Sequence, residues 1–305
     1  MRERAYDSAI RNFATAARFE PEDFGLQLNL ARAQLAIGDQ EAAREAIANA
    51  RLLQPNSPDL AVLEITLFTS DGDYLRAESL LEALEKTGFD PHRRLTLLGE
   101  LRTAQGRFAD AGQAYKAAYA LEPSQRLASR ALRAEAAAGG ADPTATLRDW
   151  IEQQPDDVLA LNTLGTWHVG RGELEPAQQY FERALENDQK QALILNNLAW
   201  IYDETGDDRA LQTAEQAYRL EPDSGGIADT LGWIHLRSGN LESALELLSK
   251  AAEAAPENPE IQYHLAVAHQ ESGDPESAKK ILSDLVESNV KFPSRKAAEE
   301  TLAKL

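Results

Sequence analysis

Histidine is the residue type in this chain best suited to bind a metal ion or to transfer a proton near neutral pH. Three of the five histidines, His168, His235 and His269, each stand three residues after a glycine or an alanine. A metal site would need them to converge on one ion. Equivalent positions of stacked helices lie about 10 Å apart. We therefore interpret these three as packing residues. His264 is spaced differently and could reach an inner face, without a cysteine or histidine partner.

Acidic side chains are the other abundant group that could do chemistry, because paired carboxylates can transfer protons. The chain has 50 acidic and 31 basic residues, so its formal net charge is −19. The acids stand mostly at predicted helix starts and on outward faces, which is typical of a solvated surface. Motifs of the types GxGxxG, GxxxxGK[ST], HExxH and GxSxG are missing. We expect no enzymatic activity, no cofactor and no metal.

Composition also limits the partners. The chain has no cysteine, which excludes disulfides, thiol catalysis and cysteine-bound zinc. Residues 190–305 contain 20 acids and 11 bases, and nucleic acid or an anionic membrane would instead require clustered lysine and arginine. There is no apolar run of about 18 residues and no secretory signal, so direct membrane insertion is not expected. Met1 leads straight into a helical pattern, which suggests that the sequence is a piece of a longer protein.

One pattern recurs through the whole chain with a period near 34 residues. A glycine recurs at Gly38, Gly72, Gly106, Gly140, Gly172, Gly206, Gly239 and Gly273. An alanine follows by four or five residues, at Ala43, Ala77, Ala111, Ala145, Ala177, Ala210, Ala244 and Ala278. A small residue precedes most of these glycines by seven, at Ala31, Gly99, Gly165, Ala199, Gly232 and Ala266. A period of this length is typical of repeat arrays.

Each period is predicted to be a helix, a tight turn and a second helix. In residues 157–187, Leu161 and Leu164 mark one helical face, and Phe181 and Ala184 mark the face of the next helix. The glycine between them supplies the left-handed residue that ends the first helix. Small residues at the crossing allow the two helices to pack closely. Because one pair cannot bury both of its faces, neighbouring pairs must stack.

Two repeats depart from this pattern. In the second, Ile65 replaces the small residue before the glycine, and in the fourth Arg133 does so. The second helix of the fourth repeat is short before Pro155, and Asp142-Pro143 predicts its N-cap and first turn. We expect this repeat to be distorted.

The spacing of these glycines and alanines resembles the tetratricopeptide repeat (TPR). The resemblance implies an all-α fold, a right-handed superhelical solenoid of helix-turn-helix repeats. It covers nearly the whole chain. We assign residues 1–23 to the second helix of a truncated repeat, 24–156 to repeats 1–4, 157–290 to repeats 5–8, and 291–305 to a C-terminal capping helix.

Four C-terminal segments carry a narrower resemblance. They read NNLAWIY, ADTLGWIHLRSGN, EIQYHLAVAHQESGD and FPSRKAAEETLAKL. They resemble PrsT-type TPR proteins, which accompany PEP-CTERM/exosortase systems of bacteria that export exopolysaccharide. The resemblance implies a periplasmic or envelope-associated location in a Gram-negative bacterium, within a secretion or assembly complex. TPR proteins of type IV pilus assembly are similar enough to remain an alternative.

A second stripe of side chains recurs on the first helices of the C-terminal repeats, and in TPR arrays this stripe lines the concave groove. The candidate peptide-binding residues are Asn162, Thr166, Asn196, Trp200, Asp203, Asp229, Trp233, Arg237, Tyr263 and Gln270, with Leu236 beside them. Tryptophans on adjacent repeats, flanked by amides and charges, could anchor a protein segment. The alternative is that each indole fills the seam between repeats. We interpret Trp150 and Trp167 as buried packing residues.

We therefore predict a non-catalytic scaffold that binds a protein partner in its groove. The alternative is a periplasmic module that contacts an exported polysaccharide. A sugar-binding groove should carry aromatic residues along its whole length, whereas those of the inner stripe cluster in residues 200–263. The earlier repeats offer Arg32, Arg93 and Glu100 instead. This distribution favours a local contact with a protein.

Overall fold

The computed structural model describes residues 2–288 and 290–305, and within these ranges the chain forms α-helices and no strand. It divides into two compact units, residues 1–155 and 156–305. The helices of the first unit are α1 (Arg2–Phe19), α2 (Phe24–Ala36), α3 (Gln40–Leu53), α4 (Pro58–Asp71), α5 (Tyr74–Lys86), α6 (Pro91–Ala104), α7 (Phe108–Leu121), α8 (Gln125–Ala137) and α9 (Ala145–Gln153).

The second unit continues the same alternation of helices and turns. Its helices are α10 (Val158–Val169), α11 (Leu174–Asn187), α12 (Ala192–Thr205), α13 (Ala210–Leu220), α14 (Gly225–Arg237), α15 (Leu241–Ala254), α16 (Pro259–Glu271), α17 (Pro275–Glu287) and α18 (Arg295–Leu302). In each unit the helices pack in sequential pairs, and each pair packs on the next. This is the predicted stacking of helix-turn-helix repeats. The boundaries that we assigned between repeats stay predictions.

Capping side chains determine where many helices begin. The carboxylates of Asp23, Asp39, Asp73 and Asp157 each accept a hydrogen bond from a backbone N–H in the first turn. Such a bond satisfies one of the donors that have no partner inside the helix. The Asp-Pro pair at Asp274 caps α17 and places its proline in the first turn of that helix. We predict the same arrangement for Asp142-Pro143 in the fourth repeat.

In the fourth repeat the predicted N-cap, Asp142, is wrong, because the helix begins two residues later. Helix α9 begins at Ala145 with Thr144 as its N-cap. Asp142 lies before the helix, where its carboxylate accepts hydrogen bonds from the Thr144 hydroxyl at 2.9 Å and from the Arg148 guanidinium at 2.5 Å. These donors lower the pKa of Asp142, Arg148 more than Thr144.

The close crossing of the two helices in a pair explains the small residue of the first helix. At Gly165 an added Cβ would lie 2.5 Å from Cε1 of Phe181. Phe181 is fully buried, as are Leu161 and Leu164 of the facing helix. Since real Cβ atoms do not approach a ring carbon so closely, this position accepts only glycine at the observed helix separation.

The left-handed glycine of the fourth repeat is Gly139, and the assignment to Gly140 is wrong. Gly139 has φ +71°, and its N–H and that of Gly140 donate to Ala136 and Glu135, as at the other turns. The repeat therefore aligns one residue earlier. The position five residues after the glycine is Thr144, which is buried, and not Ala145, which is exposed.

The same shift corrects the residue that replaces the small one in this repeat. Seven residues before Gly139 stands Leu132, which is 3% exposed, whereas Arg133 points to solvent. In the second repeat Ile65, which stands in place of the small residue, is buried in the core. Each of these two repeats therefore accommodates a branched side chain where the others have glycine or alanine.

The three equivalent histidines each contact the residue that precedes the second helix of their pair. His168 Nδ1 lies 2.6 Å from a carboxylate oxygen of Glu173, and His269 Nδ1 lies 3.2 Å from one of Asp274. His235 lies 3.4 Å from the amide nitrogen of Asn240. In all three cases the partner is five residues further along, so these imidazoles join the end of one helix to the start of the next.

We predict that Gly165→Leu destabilises the chain by about 1–3 kcal/mol, because the new side chain overlaps the ring of Phe181. The measurement is the free energy of unfolding in urea, followed by circular dichroism. Gly226→Ala is the matched control, since an added Cβ there meets no atom within 4 Å. It should be neutral or stabilising by up to about 1 kcal/mol. Equal effects of the two substitutions would contradict the proposed helix crossing.

Candidate functional site

The second unit contains a groove that is formed by α12, α14, α16 and the turn before α18. Its volume is about 550 Å³. The residues that line it are Trp200, Asp203, Glu204, Asp229, Thr230, Trp233, Ile234, Glu260, His264, Pro293 and Ser294. Helical spacing places these side chains on one face of each helix, because residues three or four apart are neighbours on a helix surface.

Trp200 is the most exposed aromatic side chain of the groove. Its exposed fraction is 36%, which is high because tryptophan side chains in folded proteins are mostly buried. Leu193, seven residues earlier on the same face of α12, is 63% exposed. Helix α12 thus exposes apolar side chains to solvent beside the carboxylates that line the groove.

Trp233 has a different environment although it occupies the equivalent position in the next repeat. It is half-buried and packs against the core cluster of α14, α15 and α16. Its ring stacks on that of His264, with the centroids 4.1 Å apart, and lies 6.4 Å from the ring of Tyr263. Trp233 therefore fills the seam between two repeats and exposes one part of its ring to the groove.

His264 lies between two acidic side chains of the groove, Asp229 and Glu260. Its Nδ1 lies 2.8 Å from Oδ1 of Asp229, and its Nε2 lies 3.8 Å from Glu260. Glu260 in turn accepts hydrogen bonds from the backbone N–H of Ser294 at 3.2 Å and from the Ser294 hydroxyl. The C-terminal turn is thereby held against α16.

Arg237 lies at the margin of the groove and pairs with two acids of the preceding repeat. One guanidinium nitrogen is 2.7 Å from Asp203 and 3.1 Å from Glu204. Burial raises the pKa of Asp203, and the attraction of Arg237 opposes this shift only in part. The groove therefore holds Asp203 in an environment that is unfavourable for its charge.

The structure brings together only part of the predicted stripe. Trp200, Asp203, Asp229 and Trp233 line the groove, and Arg237 and Tyr263 contact residues that do. Leu236 is buried in the core, so its placement on the stripe is wrong.

The other predicted residues lie outside the lining of this groove. They are Asn162, Thr166, Asn196 and Gln270. The side-chain oxygens of Asn162 and Asn196 are buried and have no hydrogen-bond partner among the described residues. A role for these four in binding stays a prediction.

Sequence reasoning missed several groove residues. Glu204, Thr230, Glu260, Pro293 and Ser294 were not among the candidates, and His264 was recognised only as a residue that could reach the inner face. A signal was present, since Ser294 follows Glu260 by 34 residues, one repeat period. From the sequence we predict only a capping helix in the C-terminal segment.

Trp150 and Trp167, which we expected to be buried, are both half-buried. The Arg171 guanidinium lies 5.7 Å from the ring centroid of Trp167. Among the described residues no group of three or more histidine and acidic side chains has the arrangement of a metal site. None of the helices in residues 2–288 and 290–305 combines the length and apolar character needed to cross a bilayer.

Comparison with known sequences points to one family. Family models described as the tetratricopeptide repeat match residues 1–64 and 235–305, residues 64–126 and 208–259, and residues 180–216. A curated relative is the TPR repeat-containing protein PA4667 of Pseudomonas aeruginosa, which is 24% identical over 153 residues. The match covers 48% of this chain and 26% of the relative. The chain thus spans about a quarter of that protein's length.

Solved structures show the same fold. A tetratricopeptide repeat protein from Parabacteroides merdae has a TM-score of 0.57 at 16% identity, over 81% of this chain and 97% of that one. A chain of the APC/C hetero-tetramer Cut9-Hcn1 has a TM-score of 0.56 at 14% identity, over 99% of this chain but only 58% of that one. At such low identity the similarity is informative about the fold alone.

We predict that iodide quenches the fluorescence of Trp200 more strongly than that of Trp233, because the exposed area of its indole is larger. The measurement uses variants that keep one tryptophan each and carry phenylalanine at the other three positions. The variant that keeps Trp150, which is half-buried, is the reference for Trp233. If Trp200 and Trp233 are both as protected from iodide as Trp150, both are seam residues.

Proposed function

Because this chain is a tetratricopeptide repeat protein, we propose that it is a non-catalytic scaffold that holds a segment of a partner protein in the groove of its second unit. The observation that carries the proposal is the exposed indole of Trp200 in a groove with polar walls. Tryptophan is enriched among the residues that dominate binding energy at protein interfaces, since it supplies a large apolar area and a polar N–H group.

The dimensions of the groove support a peptide as its occupant. A volume of about 550 Å³ accommodates a few side chains. Its apolar part is formed by the two tryptophans and Ile234, and its polar part by acids and Thr230. An extended segment could place an apolar side chain on Trp200 and form hydrogen bonds with the surrounding polar groups.

A protein segment suits this groove better than a polysaccharide does. Carbohydrate sites usually present several open aromatic faces, whereas here Trp233 is largely occupied by His264 and the core. The four carboxylates would also repel an acidic exopolysaccharide. We retain polysaccharide contact as an outcome that the experiment below can detect.

We further propose that the scaffold acts in the periplasm or envelope of a Gram-negative bacterium, in an assembly for exopolysaccharide export. The proposal depends on the resemblance of four C-terminal segments to PrsT-type proteins. We expect antibodies against this chain to detect their antigen in the periplasmic or membrane fraction of the source cells. Detection in the cytoplasmic fraction alone would contradict this setting, while the scaffold proposal would stand.

We predict that Trp200→Ala weakens binding of groove ligands by about 2 kcal/mol, roughly thirtyfold. Peptides would be selected from a random display library on the full chain and measured by fluorescence anisotropy. Leu220→Ala is the matched control, because Leu220 is 41% exposed on α13 and does not line the groove. It should change affinity less than twofold.

The same variants would be tested on an array of oligosaccharides. Binding of glycans that depends on Trp200, without selection of any peptide, would overturn the scaffold proposal in favour of carbohydrate contact. Selected peptides whose affinity is unaffected by Trp200→Ala would show that the binding site lies elsewhere.

A further inference from the structure

The charges of the groove are unbalanced. Four carboxylates line it, those of Asp203, Glu204, Asp229 and Glu260, and the described lining includes neither lysine nor arginine. Arg237 at the margin is within ion-pair distance of Asp203 and Glu204 and provides one positive charge for both. The site therefore carries a negative potential, which Arg237 offsets only in part.

Each acid retains a different capacity to bind a ligand. Both oxygens of Glu260 accept hydrogen bonds from Ser294, so this side chain is fixed and already satisfied. Asp229 uses Oδ1 for His264, and Glu204 uses Oε1 for Arg237. The second oxygen of each accepts no hydrogen bond from the described residues. Oδ1 of Asp203 likewise accepts none, since Arg237 donates to Oδ2. These three oxygens are the acceptors available to a donor that enters the groove.

The first unit contains acids on first helices whose charges are matched. There Asp59 on α4 lies between Arg32 at 3.6 Å and Arg93 at 3.3 Å. Glu100 on α6 pairs with Arg130 on α8. Each of these two acids thus has at least one cation from a neighbouring first helix. The acid excess is therefore a property of the groove in the second unit and not of all first helices.

The exposed ring of Trp200 adds a second group that attracts a cation. The face of an indole carries negative electrostatic potential, and it is the best aromatic partner for an ammonium or guanidinium group. Within this chain arginine side chains already occupy aromatic faces, with Arg209 at 4.1 Å from the ring centroid of Tyr202 and Arg171 at 5.7 Å from that of Trp167. Among the described residues no arginine or lysine side chain lies over the ring of Trp200.

We propose that the groove recognises a basic segment of the partner, with a lysine or arginine side chain lying over Trp200 and its charged group between Asp229 and Glu204. The inference rests on the proposed scaffold function and specifies the chemistry of the bound segment. The apolar stem of such a side chain packs on the indole, while the charged end reaches the carboxylates. Charge complementarity gives the groove its selectivity against neutral and acidic segments.

The test compares two fluorescein-labelled peptides that differ only in charge. Both are twelve-residue glycine-serine peptides, one with arginine at four positions and the other with citrulline, which has nearly the same shape and no charge. Affinities for the full chain are measured by anisotropy at about 50 mM salt, where ionic contacts are weakly screened. We expect the arginine peptide to bind at least tenfold more tightly.

Variants separate a specific site from general attraction to an acidic protein. Trp200→Ala, Asp229→Asn and Glu204→Gln should each weaken binding of the arginine peptide roughly five- to tenfold. Trp200→Phe, which keeps an aromatic face, should weaken it less than threefold. Glu242→Gln removes the same charge from an exposed position on α15 outside the groove, and it should change affinity less than twofold.

Two results would overturn the inference. Equal losses in Glu204→Gln and Glu242→Gln, with no loss in Trp200→Ala, would indicate attraction to net charge alone. Equal affinity for the arginine and citrulline peptides, with both lost in Trp200→Ala, would show a peptide-binding groove without preference for cations. In that case the scaffold proposal survives and only the basic specificity fails.

Discussion

The close approach of two helices within each pair is the constraint on which the rest of the structure depends. At Gly165 the facing ring of Phe181 leaves no room for a side chain. Two helices bury only the sides that face each other, so the apolar side chains on their other faces must be covered by the next pair. The first helices of neighbouring repeats then become neighbours themselves. The groove exists because α12, α14 and α16 are brought side by side in this way.

Contacts between neighbouring first helices give the groove its shape and its polarity. Asp203 and Arg237 are 34 residues apart and form an ion pair, and Asp229 and His264, 35 residues apart, lie at hydrogen-bond distance. Such pairs add little stability where they are exposed, but they fix side-chain orientation. Trp233 is held by His264, whereas the indole of Trp200 remains partly exposed to solvent. One tryptophan thus supports the site and the other is available to a ligand.

The sequence was sufficient to predict the helices, the turns and the small residues at the crossings, because each depends on contacts within one period. The sequence was less informative where a repeat differs in length from its neighbours. The fourth repeat was aligned on Gly140, and the backbone shows that Gly139 ends its helix. The different burial of Trp200 and Trp233 could not be predicted either, since it depends on which side chain the next repeat places opposite each ring. Glu260 was missed for the same reason.

The pairing between repeats has an evolutionary consequence. Repeat arrays grow by tandem duplication of one unit, and a duplicated repeat copies its own core contacts intact. The residue at the position of His264 in the preceding repeat is Thr230, one period earlier. A second copy of that repeat would therefore place threonine, not histidine, opposite Asp229 and Trp233. Duplication would lengthen the array without reproducing the groove, so a new binding site would have to arise by later substitutions at the junction.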